Sequence, residues 1–140
     1  MANENFIVCA LRPSTVFGPS PRFRADIVFN NLVACAYTSK KIEIWSDGSP
    51  WRPVVHIDDV CNAITFLMNR DAPGVYDIGT GISTPLKQIT DFFDIECEER
   101  IGGENERLCN KADISKLTDL GWTPQINLFE YLKSQKDLTL

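Results

Sequence analysis

No apolar run in this sequence is long enough to cross a bilayer. The longest clean one is FIVCAL, residues 6–11, against the roughly 20 residues that a spanning helix needs. The opening MANEN carries no basic stretch leading into an apolar one, so no signal peptide is expected. Positive charge is in short supply: 14 Lys and Arg stand against 19 Asp and Glu, a net charge of −5. That balance argues against a nucleic-acid partner, whose backbone asks for a basic surface. Cys9, Cys35, Cys61, Cys97 and Cys109 are odd in number and no two form C-x-x-C. The spacing supplies neither a zinc site nor a disulfide framework, and a reducing cytoplasm is the simplest compartment. There is no G-x-S-x-G elbow to hold a nucleophile. The glycines of GTG, residues 79–81, lack the third glycine of a dinucleotide fingerprint.

What is present fits one domain of 140 residues with 44% hydrophobic content and one sizeable core. FIVCALR (6–12) reads as a strand buried on both faces, as in a parallel sheet. PSTVFGPSP reads as a loop. The spacing then predicts a helix from Asp26 to Thr38, with Val28, Leu32, Cys35 and Ala36 on one face. KIEIW (41–45) and PVVHI (53–57) read as strands on either side of an SDGSP turn. Asp58 stands where an N-cap is expected, followed by a helix carrying Val60, Ile64, Leu67 and Met68 on one stripe. VYDIG (75–79) is a further buried strand. Thr84–Pro85 reads as a helix start, with Leu86, Ile89, Thr90 and Phe93 facing inward. A loop around one short strand follows. DISKLTDLGW is a short helix closed by Gly121, and Asn127 with Glu130 opens a last one. Strands alternating with helices indicate an α/β protein. The sequence supplies no evident neighbours for the apolar strand at its start.

His56, the only histidine, lies in an alternating apolar strand, where a structural hydrogen-bonding role outweighs catalysis with Ser49 or Asp58. The Asp58–Asp59 pair is explained by a helix start. Arg52, beside Trp51 and directly before a buried strand, has the fork geometry that grips phosphate oxygens. Arg22, Arg24 and Arg107 are scattered further arginines. Asn31 falls near an apolar stripe, where an unpaired amide is costly, so it caps something internal or faces a ligand. Trp45 closes a strand, where an aromatic ring is core or a stacking platform.

Four blocks occur in order: LRPSTVFGPSPRFR, NNLVACAYTSKKIEIWSDGSPWRPVVHIDDV, VYDIGTG and DISKLTDLGWTP. Together they resemble the C-terminal half of extended short-chain dehydrogenases/reductases, in the NAD-dependent epimerase/dehydratase branch that acts on nucleotide sugars. The resemblance runs from about residue 6 to residue 133. It implies the C-terminal half of a Rossmann-like fold with a small substrate-binding subdomain, and residues 1–140 as a single partial domain. It implies NAD as the family's cofactor, touched by the backbone at Pro13. It implies substrate contacts from Thr15, where the family usually has a longer asparagine, from Asn31 and Leu32 at the diphosphate, and from Trp45 beside the base. Arg52 and Arg107 are implied on the phosphates, and His56 is not implied as catalytic.

The family's G-x-x-G-x-x-G loop is absent. Its catalytic Y-x-x-x-K pair is also without a counterpart, since the lysines at 40 and 41 after Tyr37 have the wrong spacing or the wrong context. The chain is therefore expected to begin just after the family's active-site helix, to have no catalytic residue of its own, and to bind NAD poorly alone. Its implied partners are a nucleotide sugar, a separate Rossmann chain and a second copy of itself, with no nucleic acid and no membrane. The alternative is a non-enzymatic degenerate binding module or a truncated gene product. A hydrolase centred on Ser49 and His56 is a weaker third reading.

Overall fold

The computed structural model describes residues 6–44, 47–94, 96–99 and 110–138. Trp45, Arg107 and Cys109 lie outside the described residues. The elements run β1 (Cys9–Pro13), β2 (Thr15–Phe17), α1 (Val28–Thr38), β3 (Lys41–Ile44), β4 (Trp51–His56), α2 (Ile57–Met68), β5 (Gly74–Ile78), β6 (Ser83–Pro85), α3 (Leu86–Phe93), β7 (Glu96–Glu99), α4 (Ser115–Asp119) and α5 (Leu128–Leu138). β1 pairs with β5 in parallel, β2 with β4 in parallel, β3 with β7 in parallel, and β4 with β6 antiparallel. Parallel neighbours far apart in sequence require crossovers, and this is the α/β arrangement that the alternating pattern predicts.

β4 divides the core. Successive strand residues point to opposite faces, so Val54 joins one apolar cluster and Val55 the other. The first cluster gathers Phe17, Phe29, Leu32, Ile42, Ile89 and Leu132, from β2, β3, α1, α3 and α5. The second gathers Val60, Leu67, Tyr76, Ile78, Leu117 and Trp122, from α2, β5, α4 and the turn after it. Val55, Ile42, Ile78 and Leu117 are fully enclosed, and each such side chain contributes about 1.5–3 kcal/mol relative to exposure.

Several local expectations change. Thr15–Phe17 is a strand, not a loop, because β4 offers it a parallel edge from Val54 to His56. α1 starts at Val28, which is exposed, and its inward stripe is Phe29, Leu32 and Ala36. On α2 the buried residues are Asp59, Val60, Ala63 and Leu67, while Ile64 is partly open and Met68 is 80% exposed. The N-cap of α2 is His56, not Asp58: its ring accepts from the Asp58 backbone N–H at 3.2 Å. Thr84 does not cap α3 with its side chain; Ser83–Pro85 pairs with β4 and the helix begins at Leu86. The inward set Leu86, Ile89, Thr90 and Phe93 is as read. Gly121 closes the turn after α4 at φ +95, and Asn127 caps α5 by accepting from Phe129 and Glu130 N–H at 2.9 and 3.3 Å.

The β1–β5 sheet has a covered face and a bare one. Cys9, Leu11, Tyr76 and Ile78 face the second cluster. On the other side Ala10 stands opposite Val75 and Arg12 opposite Asp77. There Val75 is 41% exposed, and Phe6, Ile7 and Val8 leading into β1 are 58%, 46% and 41% exposed. The expected burial on both faces is therefore not met within the described residues. Arg12 holds Asp77 with two bonds, Nε–Oδ1 at 2.6 Å and Nη2–Oδ2 at 3.1 Å. Among the described residues no helix is long and apolar enough to cross a membrane.

Candidate functional site

β4 brings the site together. Its alternation sets Arg52, Val54 and His56 on one face. The register places Thr15 opposite Val54, and Thr84 opposite Arg52. Cross-strand partners share a face, so Thr15, Arg52 and Thr84 lie on the side of the sheet that packs against α1. Leu32 of α1 is buried in the same cluster. Pro13 ends β1 opposite Ile78, two residues before Thr15 and in a different sheet. Leu32 is 3% exposed and held by the core, so its side chain serves packing. The Arg52 guanidinium donates from Nη1 to the Trp51 carbonyl at 3.1 Å, which holds it along the strand.

Asn31 is exposed, contrary to its expected place beside the stripe. Its amide donates to the Ala25 carbonyl at 3.1 Å, and that of Asn30 to Arg24 at 3.1 Å. The two asparagines tie the loop before α1 to the helix start. Arg24 is committed to Asp26 through Nε–Oδ1 at 3.1 Å and Nη2–Oδ2 at 2.5 Å; this hydrogen bonding holds the Asp26 carboxyl below its usual range.

His56 and Ser49 do not form a catalytic pair. Ser49 donates to Asp47 Oδ1 at 2.6 Å. His56 is 3% exposed and packs on Phe17 and Tyr131, with ring centroids 5.2 and 4.7 Å away. Because Nδ1 accepts from a backbone N–H, the neutral ring carries its proton on Nε2. Burial pushes the Tyr131 phenol above its ordinary value, and Asp58 adds to the shift. Tyr37 and Lys41 do not share a helix, since α1 ends at Thr38, Lys40 turns at φ 53 and Lys41 opens β3 against Glu98 at 2.8 Å.

Asp59 is the residue that the sequence reading undervalued. It is 1% exposed. Its Oδ1 accepts from Gln125 N–H at 2.9 Å and its Oδ2 from Ile126 N–H at 3.1 Å. The signal was in the sequence: Asp59, Ala63 and Leu67 recur at helical spacing, and a carboxylate on a buried stripe needs partners.

A cavity of about 430 Å³ opens against the same sheet face. Val54, Thr84 and Gln88 line one side and residues 124–129 the other, and none of its lining residues is charged. Val54 and Thr84 are the cross-strand partners of Thr15 and Arg52. The cavity therefore lies beside the two expected ligand contacts, sharing β4 with Arg52 and one strand from Thr15, near the carboxyl end of β5 where ligands bind in α/β sheets. Pro13, Thr15, Asn31, Leu32 and Arg52 do not themselves line it.

The end of β5 packs closely on the segment before β2 and on the approach to α4, since a Cβ on Gly79 would meet Ser14 Oγ at 2.8 Å and Ala112 Cβ at 3.2 Å.

Comparison with known proteins places the chain. The model of the NAD dependent epimerase/dehydratase family matches residues 1–79. GDP-L-fucose synthase 1 of Arabidopsis thaliana is 27% identical over 89% of this chain and 43% of its own length. A putative UDP-glucose 4-epimerase of Methanocaldococcus jannaschii is 30% identical over 88% of this chain and 42% of its own. The structure of MoeE5 in complex with UDP-glucose and NAD superposes with a TM-score of 0.78 at 25% identity, covering 95% of this chain and 47% of that one. This chain thus spans less than half the length of these relatives. The fold is that of Rossmann-like epimerases, the family model covers more than half of the residues, and the chain belongs to the NAD-dependent epimerase/dehydratase family.

Proposed function

We propose that this chain is the nucleotide-sugar-binding part of an NAD-dependent epimerase or dehydratase. The observation that carries the reading is the register of β4, which sets Arg52 and Thr15 on one sheet face beside an uncharged cavity. Arg52 grips the diphosphate in two-point fashion. Thr15, Asn31 and Leu32 flank it, and Pro13 forms the edge toward the cofactor. Trp45 and Arg107, outside the described residues, complete the proposed set at the base and the second phosphate. NAD, when bound in the complete enzyme, supplies reversible hydride transfer at a sugar carbon. The residues of this chain bind and orient the substrate and do not serve as the catalytic base.

The bare face of the β1–β5 sheet supports completion by a Rossmann portion, supplied by a separate chain. Parallel sheets are covered on both faces, and Phe6, Ile7, Val8 and Val75 expose an apolar surface that such a portion would bury. Self-association of the chain alone is expected through unpaired strand edges and this exposed apolar surface. Cys9, Cys35 and Cys61 are thiols rather than disulfides, which fits the cytoplasm. A thermal-shift panel with UDP-, GDP- and dTDP-sugars tests the binding role. Stabilisation by at least one of them is expected. No shift with any member of the panel would remove support for the reading.

A further inference from the structure

The segment that walls the uncharged cavity has no regular structure of its own. Trp122 is anchored in the second core cluster, α5 begins at Leu128, and residues 122–127 between them belong to no helix or strand. Hydrogen bonds hold both ends of this stretch, where Trp122 N–H donates to the Leu117 carbonyl and the Asn127 carbonyl accepts from Tyr131 N–H, each at 3.0 Å. Gln125 Nε2 donates to the Thr123 carbonyl and hydroxyl at 3.0 and 2.9 Å. Asn127 Oδ1 accepts from α5. Both of these are local, while Trp122 and Ile126 pack against the two core clusters. Among the described residues, the hydrogen bonds that tie it to a distant element are those of the Asp59 carboxylate, which accepts from the backbone N–H groups of Gln125 and Ile126.

Asp59 is well suited to this. It sits in the first turn of α2, where the helix dipole favours a negative charge. It is enclosed, so its two bonds are not exchanged for water. α2 follows β4 directly, so the carboxylate and Arg52 are parts of one rigid strand–helix unit. Gln125 and Ile126 line the cavity together with Val54 and Thr84. The lining mixes amides and hydroxyls with Phe129 and Ile126, and it offers no charge to pair with an ion.

We infer that Asp59 is a positioning residue that fixes the wall of this cavity relative to Arg52, and that the cavity takes an uncharged hydrogen-bonding group of the ligand. This rests on the proposed nucleotide-sugar role, in which Arg52 meets the diphosphate. A nucleoside and a monosaccharide share the required chemistry.

The test is amide-resolved NMR of the full chain, titrated separately with uridine, glucose, pyrophosphate and UDP-glucose, for the wild type and Asp59→Asn. Asparagine keeps the shape but turns one acceptor into a donor that faces a backbone N–H. The wild type should show uridine or glucose moving the amides of Gln125, Ile126 and Thr84; whichever probe does so identifies the source. In Asp59→Asn the affinity for that probe should fall about tenfold, the loss of one buried hydrogen bond, while that for pyrophosphate holds within about twofold. An equal loss for both probes shows general destabilisation and overturns the inference. Silence at Gln125 and Ile126 with both uncharged probes overturns it even if the variant does not fold. UDP-glucose binding at Arg52 with those amides silent sinks the inference and keeps the proposed function. An uncharged probe in the cavity with no nucleotide sugar at Arg52 does the reverse.

Discussion

Replacing glycines one at a time separates backbone strain from steric contact at the join behind the site. Gly18 follows β2 at φ +115, and a Cβ there would lie 2.7 Å from His56 Nε2 and 2.9 Å from Ile57 Cγ2. Gly121 has φ +95 with nothing within 4 Å of the added atom. Gly79 has no positive φ but would press on Ser14 and Ala112. Holding alanine at positive φ costs about 1–3 kcal/mol. Forcing a methyl group into a packed site costs about 1–3 kcal/mol more. Gly121→Ala should therefore show the first cost alone and Gly79→Ala the second. Gly18→Ala should show both, about 2–6 kcal/mol, because His56 is enclosed between Phe17 and Tyr131 and has nowhere to go. Urea denaturation followed by circular dichroism gives the three midpoints, and equal m-values license their comparison. A Gly18→Ala loss no larger than that of Gly121→Ala would refute the close packing of His56 beneath Gly18.

Three more outcomes follow from the geometry. Tyr131 should ionise above the ordinary 10.0 in an ultraviolet titration, because burial and then Asp58 raise its phenol. The unfolded chain then loses this proton first, so stability should fall as pH rises through that ordinary value; a Tyr131→Phe variant that keeps the same alkaline loss would contradict the assignment. Val8→Lys with Val75→Lys should convert a self-associating chain into a monomer in sedimentation velocity, since like charges on an exposed sheet block pairing. A monodisperse wild-type monomer would count against the bare face as an association surface. His56→Asn should keep most of the α2 cap, whereas His56→Ala should lose that cap, about 0.5–2 kcal/mol, together with the packing of the ring. Equal unfolding midpoints for the two variants would argue against the capping role.

The legible parts of the fold were those whose own residues carry the pattern. β3, α3, α4 and α5 come from apolar spacing and local caps, and they appear close to where they were read. β2 and β6 were not legible because each is three residues long and exists through pairing with β4, a long-range fact. The start of α1 was misread because Val28 and Phe29 are both apolar, and only the position of the first cluster decides between them. Arg52 stood out through its chemistry beside a buried strand, and the sheet register puts Thr15 with it. The partner of Asn31 was not legible, because its amide is bound to the loop at Ala25, which no local pattern announces. Asp59 was hidden by a sufficient local explanation, a helix start, while its partners lie 66 and 67 residues away.

The central claim is that Arg52 anchors the diphosphate of a nucleotide sugar on this chain. Isothermal titration of UDP-, GDP- and dTDP-sugars into the wild type and Arg52→Ala tests it most directly. At least one sugar nucleotide should bind the wild type saturably, with affinity falling at least about tenfold in the variant, as expected for a charge-assisted bidentate contact. Binding that is unchanged by the loss of Arg52, or no heat from any of the three with the wild type, would contradict the account.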